Sequence, residues 1–217
     1  MRIIFIDVDK VEFKDVSFSY DRRRKILDKF SLDVYKNNIV LIKGKNGAGK
    51  TTAMNLLLGI WDEYEGDIFI NERSIRTFDR ETLLDNVAIC FQKTAIFNDS
   101  IKNNIVLGRE CDSEFLNSLL EDMKLKELIV GLEKGIDTNI NETEKLSGGQ
   151  FQKIGIIRAL ATKKPIIIFD EPTSSLDKES ISSFIKLIEE YKKDKIIFIV
   201  THGEEIFKIA DKVYEFK

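Results

Sequence analysis

Two stretches of this chain combine the residue types that grip anions. In the first, Gly44-Lys45-Asn46-Gly47-Ala48-Gly49-Lys50-Thr51 fits the pattern G-x-x-x-x-G-K-[ST], with Thr52 next. Glycines in such a loop let backbone N–H groups turn inward around phosphates. Lys50 reaches the β- and γ-phosphates, and the Thr51 hydroxyl is a Mg²⁺ ligand. The apolar run Ile39–Ile42 precedes the loop and the helical run Thr51–Leu58 follows it, so a helix N-terminus points at the anion. A second apolar run, Ile166–Phe169, ends in Asp170 and Glu171. Ligands of open α/β sheets bind at the carboxyl ends of the strands. There Asp170 suits Mg²⁺, held through water or Thr51, and Glu171 suits a general base on a water beyond the γ-phosphate.

The second stretch is Ser147-Gly148-Gly149-Gln150. Ser147-x-x-Gln150 fits a capping box with Ser147 as N-cap. Each glycine in a first helical turn costs about 1 kcal/mol. That cost makes sense if something approaches the backbone closely. This helix start offers N–H groups and a positive dipole but no lysine, so it suits a phosphate's outer face and cannot replace Lys50. Ile154, Ile157, Leu160 and Ala161 line one face of the helix that follows. His202, the sole histidine, comes directly after the apolar run Ile196–Val200 and Thr201.

The elements that must position these groups follow from the apolar pattern. Continuous runs at Ile39–Lys43, Val87–Phe91, Ile166–Phe169 and Ile196–Val200 suit parallel strands covered on both faces. Helical patterns lie between them, clearest at Lys178–Lys193, where Ile181, Phe184, Ile185, Ile188 and Tyr191 recur at helical spacing. "VEFKDVSFSY", "ILDKFSLDVYK" and "EGDIFINERSI" instead alternate, as antiparallel strands with one exposed face do. From about Lys93 to Lys145 the periodicity is mainly helical. The expected fold is α/β: a P-loop NTPase parallel-sheet core, an antiparallel β layer and a helical insertion subdomain.

Bulk properties narrow the function classes. The 217 residues suit one domain, and net charge −3 with 33% charged residues favours neither nucleic acid nor an acidic membrane surface. The cluster Arg22-Arg23-Arg24-Lys25 is short and reads as a solvated face. No apolar run reaches the roughly 18–20 residues that span a bilayer, and the start lacks a signal peptide's layout. Cys90 and Cys111 have no metal-ligand spacing, so a cytoplasmic chain with reduced thiols is expected.

Leu146-Ser147-Gly148-Gly149-Gln150 resembles the signature motif of ATP-binding cassette (ABC) ATPases, and the resemblance covers essentially the whole chain, with motifs in the family's order. Tyr20 in "SFSY" resembles the aromatic that stacks on adenine, beside the alternative of a plain β-layer ring. Gln92 resembles the Q-loop glutamine that contacts Mg²⁺ and water, beside the alternative of a strand-end polar residue. Asp177 in "SSLD" resembles the D-loop, and His202 resembles the switch histidine that bonds the γ-phosphate. The resemblance implies ATP and Mg²⁺ as ligands and one ATP-binding domain over 1–217. The core and β layer would occupy 1–92 and 156–217, and the helical subdomain 93–155. It also implies a head-to-tail pair of such domains, in which Ser147, Gly148, Gly149, Gln150 and Asp177 of one close over the ATP held by the phosphate loop of the other. That would explain two anion grips in one chain.

"FQKTAIFNDSIKNNI" resembles the exporter branch, as does "GLEKGIDTNINETEKLSGGQ" with Glu142 in the acidic position of the X-loop; bacterial peptide and lantibiotic exporters are the loosest part of that likeness. A groove around Ile96, Phe97 and Ile101 is a candidate seat for a membrane partner's coupling helix, beside the alternative that the three are ordinary core. The implied function is the ATP-hydrolysing motor of an exporter at the cytoplasmic face of the cell membrane, with a transmembrane domain fused or separate. The competing function is a non-transport ABC ATPase acting on ribosomes or DNA. One cassette, no heptads and no basic balance count against it.

Overall fold

The computed structural model describes residues 7–21, 24–143 and 146–216. Arg22 and Arg23 of the basic cluster, and Glu144 and Lys145 ahead of the signature, lie outside the described residues. The chain divides into two compact units: one within residues 1–88, 164–168 and 192–217, the other within 89–163 and 169–191.

The first unit begins with strands β1 (Lys10–Phe18), β2 (Leu27–Tyr35) and β3 (Asn38–Gly44), helix α1 (Lys50–Leu57) and strands β4 (Glu65–Ile70) and β5 (Arg73–Ser74). Then come α2 (Arg80–Asn86), β6 (Val87–Cys90), β7 (Ile166–Asp170), β8 (Ile196–Val200) and β9 (Lys212–Phe216), with β6 and β7 running on into the second unit. The alternating segments form an antiparallel sheet in the order β2-β1-β4-β5. In β2, Phe30, Leu32 and Val34 are buried at alternate positions, as period-2 patterning demands, whereas Asp28 and Lys29 both face water between buried Leu27 and Phe30. The β1–β2 ladder is interrupted after Phe13 and again after Val16. Asp15 and Lys29 both take left-handed backbone there. The freed donors are caught across the pair: Asp15 N donates to Ser31 Oγ and Lys29 N to Ser17 Oγ, each at 2.9 Å.

The segment Glu65–Ile75, expected as one strand, is a hairpin. Asn71 and Glu72 both have positive φ, the two-residue turn whose twist matches flanking strands. The continuous apolar runs form the second sheet, in the order β6-β7-β8-β3-β9. β3 pairs in parallel with β8 on one side and β9 on the other, so the loops after β3 and β8 leave from one edge. Ile39–Ile42 and Ile196–Ile199 are fully buried, as strands covered on both faces must be. Phe30 joins the two sheets: its ring lies 5.0 Å from both Tyr214 and Phe216. The mixed α/β fold is thus as expected.

The second unit holds α3 (Ile101–Val106), α4 (Ser113–Asp122), α5 (Lys126–Val130), α6 (Gly148–Ala161) and α7 (Lys178–Tyr191). α7 keeps the expected apolar face, with Phe184, Leu187 and Ile188 buried. α6 differs from the one-faced helix expected. Gln152, Lys153, Gly155 and Ile156 are buried together with Ile154, Ile157 and Leu160, so it is enclosed nearly all round. Ile101 is fully buried and belongs to the core, while Phe97 stays exposed and Ile96 half-buried, so the three make no common groove. Asn104, also fully buried, shapes the loop before α3: Oδ1 accepts from Phe97 N at 2.8 Å, and Nδ2 donates to the carbonyls of Phe97 at 2.9 Å and Ser100 at 3.0 Å.

Candidate functional site

In the first unit, β3 delivers the chain to the phosphate loop and α1 carries it away. Gly49 is the N-cap of α1 at φ 102°, and a Cβ there would stand 2.8 Å from Leu27 Cδ2, so the sharp turn into the helix needs glycine. Lys45, Asn46 and Gly47 are exposed at the loop's crest, and Ala48 N donates to Lys45 O at 3.1 Å. The Lys50 side chain folds back under the loop. Its Nζ donates to Gly44 O at 2.7 Å and to Lys45 O at 3.1 Å. The same ammonium lies 3.3 Å from His202 Nε2, which arrives on the loop after β8. A neutral imidazole with Nε2 unprotonated accepts that bond. Thr51 is exposed at the helix start, and Thr52 is buried with Oγ1 3.0 Å from the Tyr20 hydroxyl. Tyr20, Lys50, Thr52 and His202 are therefore brought together in this unit.

The second unit gathers the other candidates. Asp170, at the end of β7, is buried; Glu171 follows with left-handed backbone, φ 47°. That conformation is uncommon for a glutamate and turns the chain sharply off the strand. Asp177 caps α7, its Oδ1 accepting from Ser180 N at 2.7 Å. That backbone hydrogen bond holds the carboxyl below its ordinary range. Ser147 N donates to Gln150 Oε1 at 2.8 Å, one half of the capping box expected at the start of α6, and the Ser147 hydroxyl turns to the same oxygen.

The paired glycines differ. Around Gly148 nothing lies within 4 Å of an added Cβ, whereas at Gly149 that Cβ would stand 2.9 Å from Ser175 O. Both had been expected to admit an outside ligand, but Gly149 admits this chain's own 173–177 loop. Gln92 is exposed just beyond β6. Nearby, Thr94 Oγ1 donates to Gln152 Oε1 at 3.3 Å, and Gly155 leaves room for Thr94, whose Oγ1 would be 2.4 Å from a Cβ. Thr94, Asn104 and Gly155 were not singled out in the sequence, where a lone threonine, asparagine and mid-helix glycine carry no pattern. Glu142 pairs with Lys134 at 3.2 Å. Cys90 and Cys111 are free thiols; burial pushes the Cys90 thiol up to about 12.

The ABC transporter profile matches residues 27–174. The chain belongs to the ABC transporter family. It is 38% identical over 207 residues to an ATP-dependent lipid A-core flippase of Desulfotalea psychrophila, covering 94% of this chain and 36% of the flippase. It is 35% identical over 209 residues to a probable ABC transporter ATP-binding/permease protein of Haemophilus influenzae, covering 95% of this chain and 38% of that protein. The chain thus spans little more than a third of the length of these relatives. Among solved structures, a bacterial Atm1-family ABC exporter with ATP bound superposes with a TM-score of 0.91 at 29% identity, over 99% of this chain and 38% of the exporter. Among the described residues of the ABC domain, no helix is long and apolar enough to cross a membrane.

Proposed function

We propose that this chain is the ATP-binding and ATP-hydrolysing motor of an ABC exporter, closing head to tail with a second such domain around two ATP molecules. The observation that carries the reading is the convergence of Lys50 Nζ and His202 Nε2 to 3.3 Å, two groups 152 residues apart on loops leaving one sheet edge. An ammonium and an imidazole held that close define a spot suited to the terminal phosphate of a nucleotide. Lys50 exchanges its loop carbonyls for phosphate oxygens, and the His202 imidazole bonds the γ-phosphate. Backbone N–H groups of 44–51 wrap the phosphates, and Tyr20 stacks on the base.

Thr51, Gln92 and Asp170 are oxygen donors, the ligand type that Mg²⁺ takes, and would hold it together with nucleotide phosphates and waters. When bound, Mg²⁺ would supply positive charge against the negative charge that develops on the phosphates. Glu171 accepts the proton of the attacking water. Ser147, Gly148, Gly149, Gln150 and Asp177 act on the partner domain's ATP, with Gly148 offering the open backbone face.

Relatives named as flippase and ATP-binding/permease proteins support a membrane-spanning part, fused or separate, with this domain at the cytoplasmic face of the cell membrane. Glu171→Gln is the test. The amide keeps the shape and loses the basic oxygen, so hydrolysis falls about a hundredfold or more while ATP affinity is kept. Turnover within a fewfold of the parent chain would remove Glu171 from the reaction.

A further inference from the structure

We infer that Trp61 is a positioning residue for nucleotide base recognition, one wall of a clamp that fixes the plane of the Tyr20 ring. This rests on the proposed role of Tyr20 as the base platform. Tyr20 is 55% exposed, yet its ring is contacted at its hydroxyl and by two other rings. Its hydroxyl is tied to Thr52 Oγ1 at 3.0 Å. The Phe18 ring stands against it at 4.9 Å and 86°, and the Trp61 ring at 5.6 Å and 80°. Phe18 and Trp61 also touch, 6.1 Å apart, which closes the triangle.

Each member has a different anchor. Phe18 is buried at the end of β1. Thr52 lies in the first turn of α1, next to the phosphate loop, and Trp61 follows the end of the same helix. The segment that forms the phosphate site therefore holds the base platform at both ends. Trp61 is itself 44% exposed, so its ring is open to the same solvent-facing side as the Tyr20 ring that it touches. Without walls, a tyrosine ring on a surface strand samples orientations that a stacked base must then suppress. A preset ring removes that ordering cost. The clamp acts on the base and not on the phosphates, so its loss falls on nucleosides alone.

Calorimetry of the 217-residue chain with MgATP, MgGTP and magnesium inorganic triphosphate tests this. Trp61→Ala is expected to weaken ATP and GTP about two- to tenfold, the scale of one aromatic pair, and to leave triphosphate unchanged. Trp61→Tyr, which keeps a ring in place, is expected to restore the nucleosides. In the parent chain, Trp61 emission is expected to shift on adding ATP and to shift less on adding triphosphate. Unchanged ATP affinity in Trp61→Ala overturns the inference. So does an equal loss for ATP and triphosphate, which would make Trp61 a support of α1 and its loop. Tyr20→Ala separates the two levels. If it loses the preference for ATP over triphosphate while Trp61→Ala keeps it, the platform stands and the clamp falls. If Tyr20→Ala keeps that preference, both fall.

Discussion

Gly148 and Gly149 are adjacent residues with opposite surroundings, and that contrast can be measured. An added methyl at Gly148 meets nothing within 4 Å, while at Gly149 it would stand 2.9 Å from the Ser175 carbonyl. Gly148→Ala is therefore expected to be neutral or to stabilise by up to about 1 kcal/mol through helix propensity. Gly149→Ala is expected to destabilise by about 1–3 kcal/mol, the usual cost of overpacking. Urea unfolding of the two variants compares them directly. Equal midpoints would mean that the 173–177 loop gives way freely and that Gly149 has no packing role. Glu171 shows a related tension: its left-handed φ of 47° is a cost kept at a position where the chain must turn off β7.

At the scale of elements, the 173–177 loop is fixed at its middle and at its C-terminal end. Ser175 abuts the start of α6, and Asp177 caps α7. Asp177→Ala should lower the thermal midpoint by opening that cap, and Asp177→Asn should retain most of it, since an amide oxygen still accepts from Ser180 N. The charge adds a pH dependence. Because the folded carboxyl titrates below its ordinary range, its contribution is present above the unfolded carboxylate pKa and is lost as pH falls through the lowered folded value. The gap in midpoint between the parent chain and Asp177→Asn should accordingly close on acidification. A gap independent of pH would assign it to something other than this carboxylate. Elements of this kind were unevenly legible in the sequence. The buried strands at Ile39–Ile42 and Ile196–Val200 announced themselves because strands covered on both faces tolerate no polar residue. The phosphate loop did so because its glycines, lysine and threonine have no other economical use together. The hairpin at Asn71-Glu72 did not, because glutamate is no turn residue even though it sits at φ 64° here. α6 looked one-faced because Ile154, Ile157, Leu160 and Ala161 share a side, whereas the polar Gln152 and Lys153 are buried as well. Asn104 gave no sign of organising the loop from Phe97 to Ser100, since its partners are backbone atoms that no side-chain pattern records.

At the scale of the whole molecule, the proposed assembly makes one site of two anion grips supplied by two chains. Lys50 belongs to the first compact unit and Gly148 to the second. In the proposed assembly, each works on a different ATP. Two inactive chains therefore test the pairing. Lys50→Ala removes the ammonium from the phosphate loop. Gly148→Asp sets a carboxylate where phosphate would lie, at a position open enough to take a side chain without disturbing the fold. In a mixture, half of the pairs formed at equal concentrations are mixed pairs if association is random. Each mixed pair holds one site with both defects and one with neither: the intact phosphate loop of the Gly148→Asp chain facing the intact signature of the Lys50→Ala chain. ATPase activity is expected to return in part on mixing, and to rise more steeply than linearly with total concentration, because the active species is a dimer. Neither chain alone should show it at any concentration. Hydrolysis that requires both sites together would hide the rescue, so a second reading accompanies it. With Glu171→Gln added to the Gly148→Asp chain, the mixed pair should be trapped by ATP and should migrate as a dimer in size-exclusion chromatography. A site built within one chain predicts neither recovery nor trapping at any mixing ratio. That joint outcome would reduce Ser147-Gly148-Gly149-Gln150 to the cap of α6.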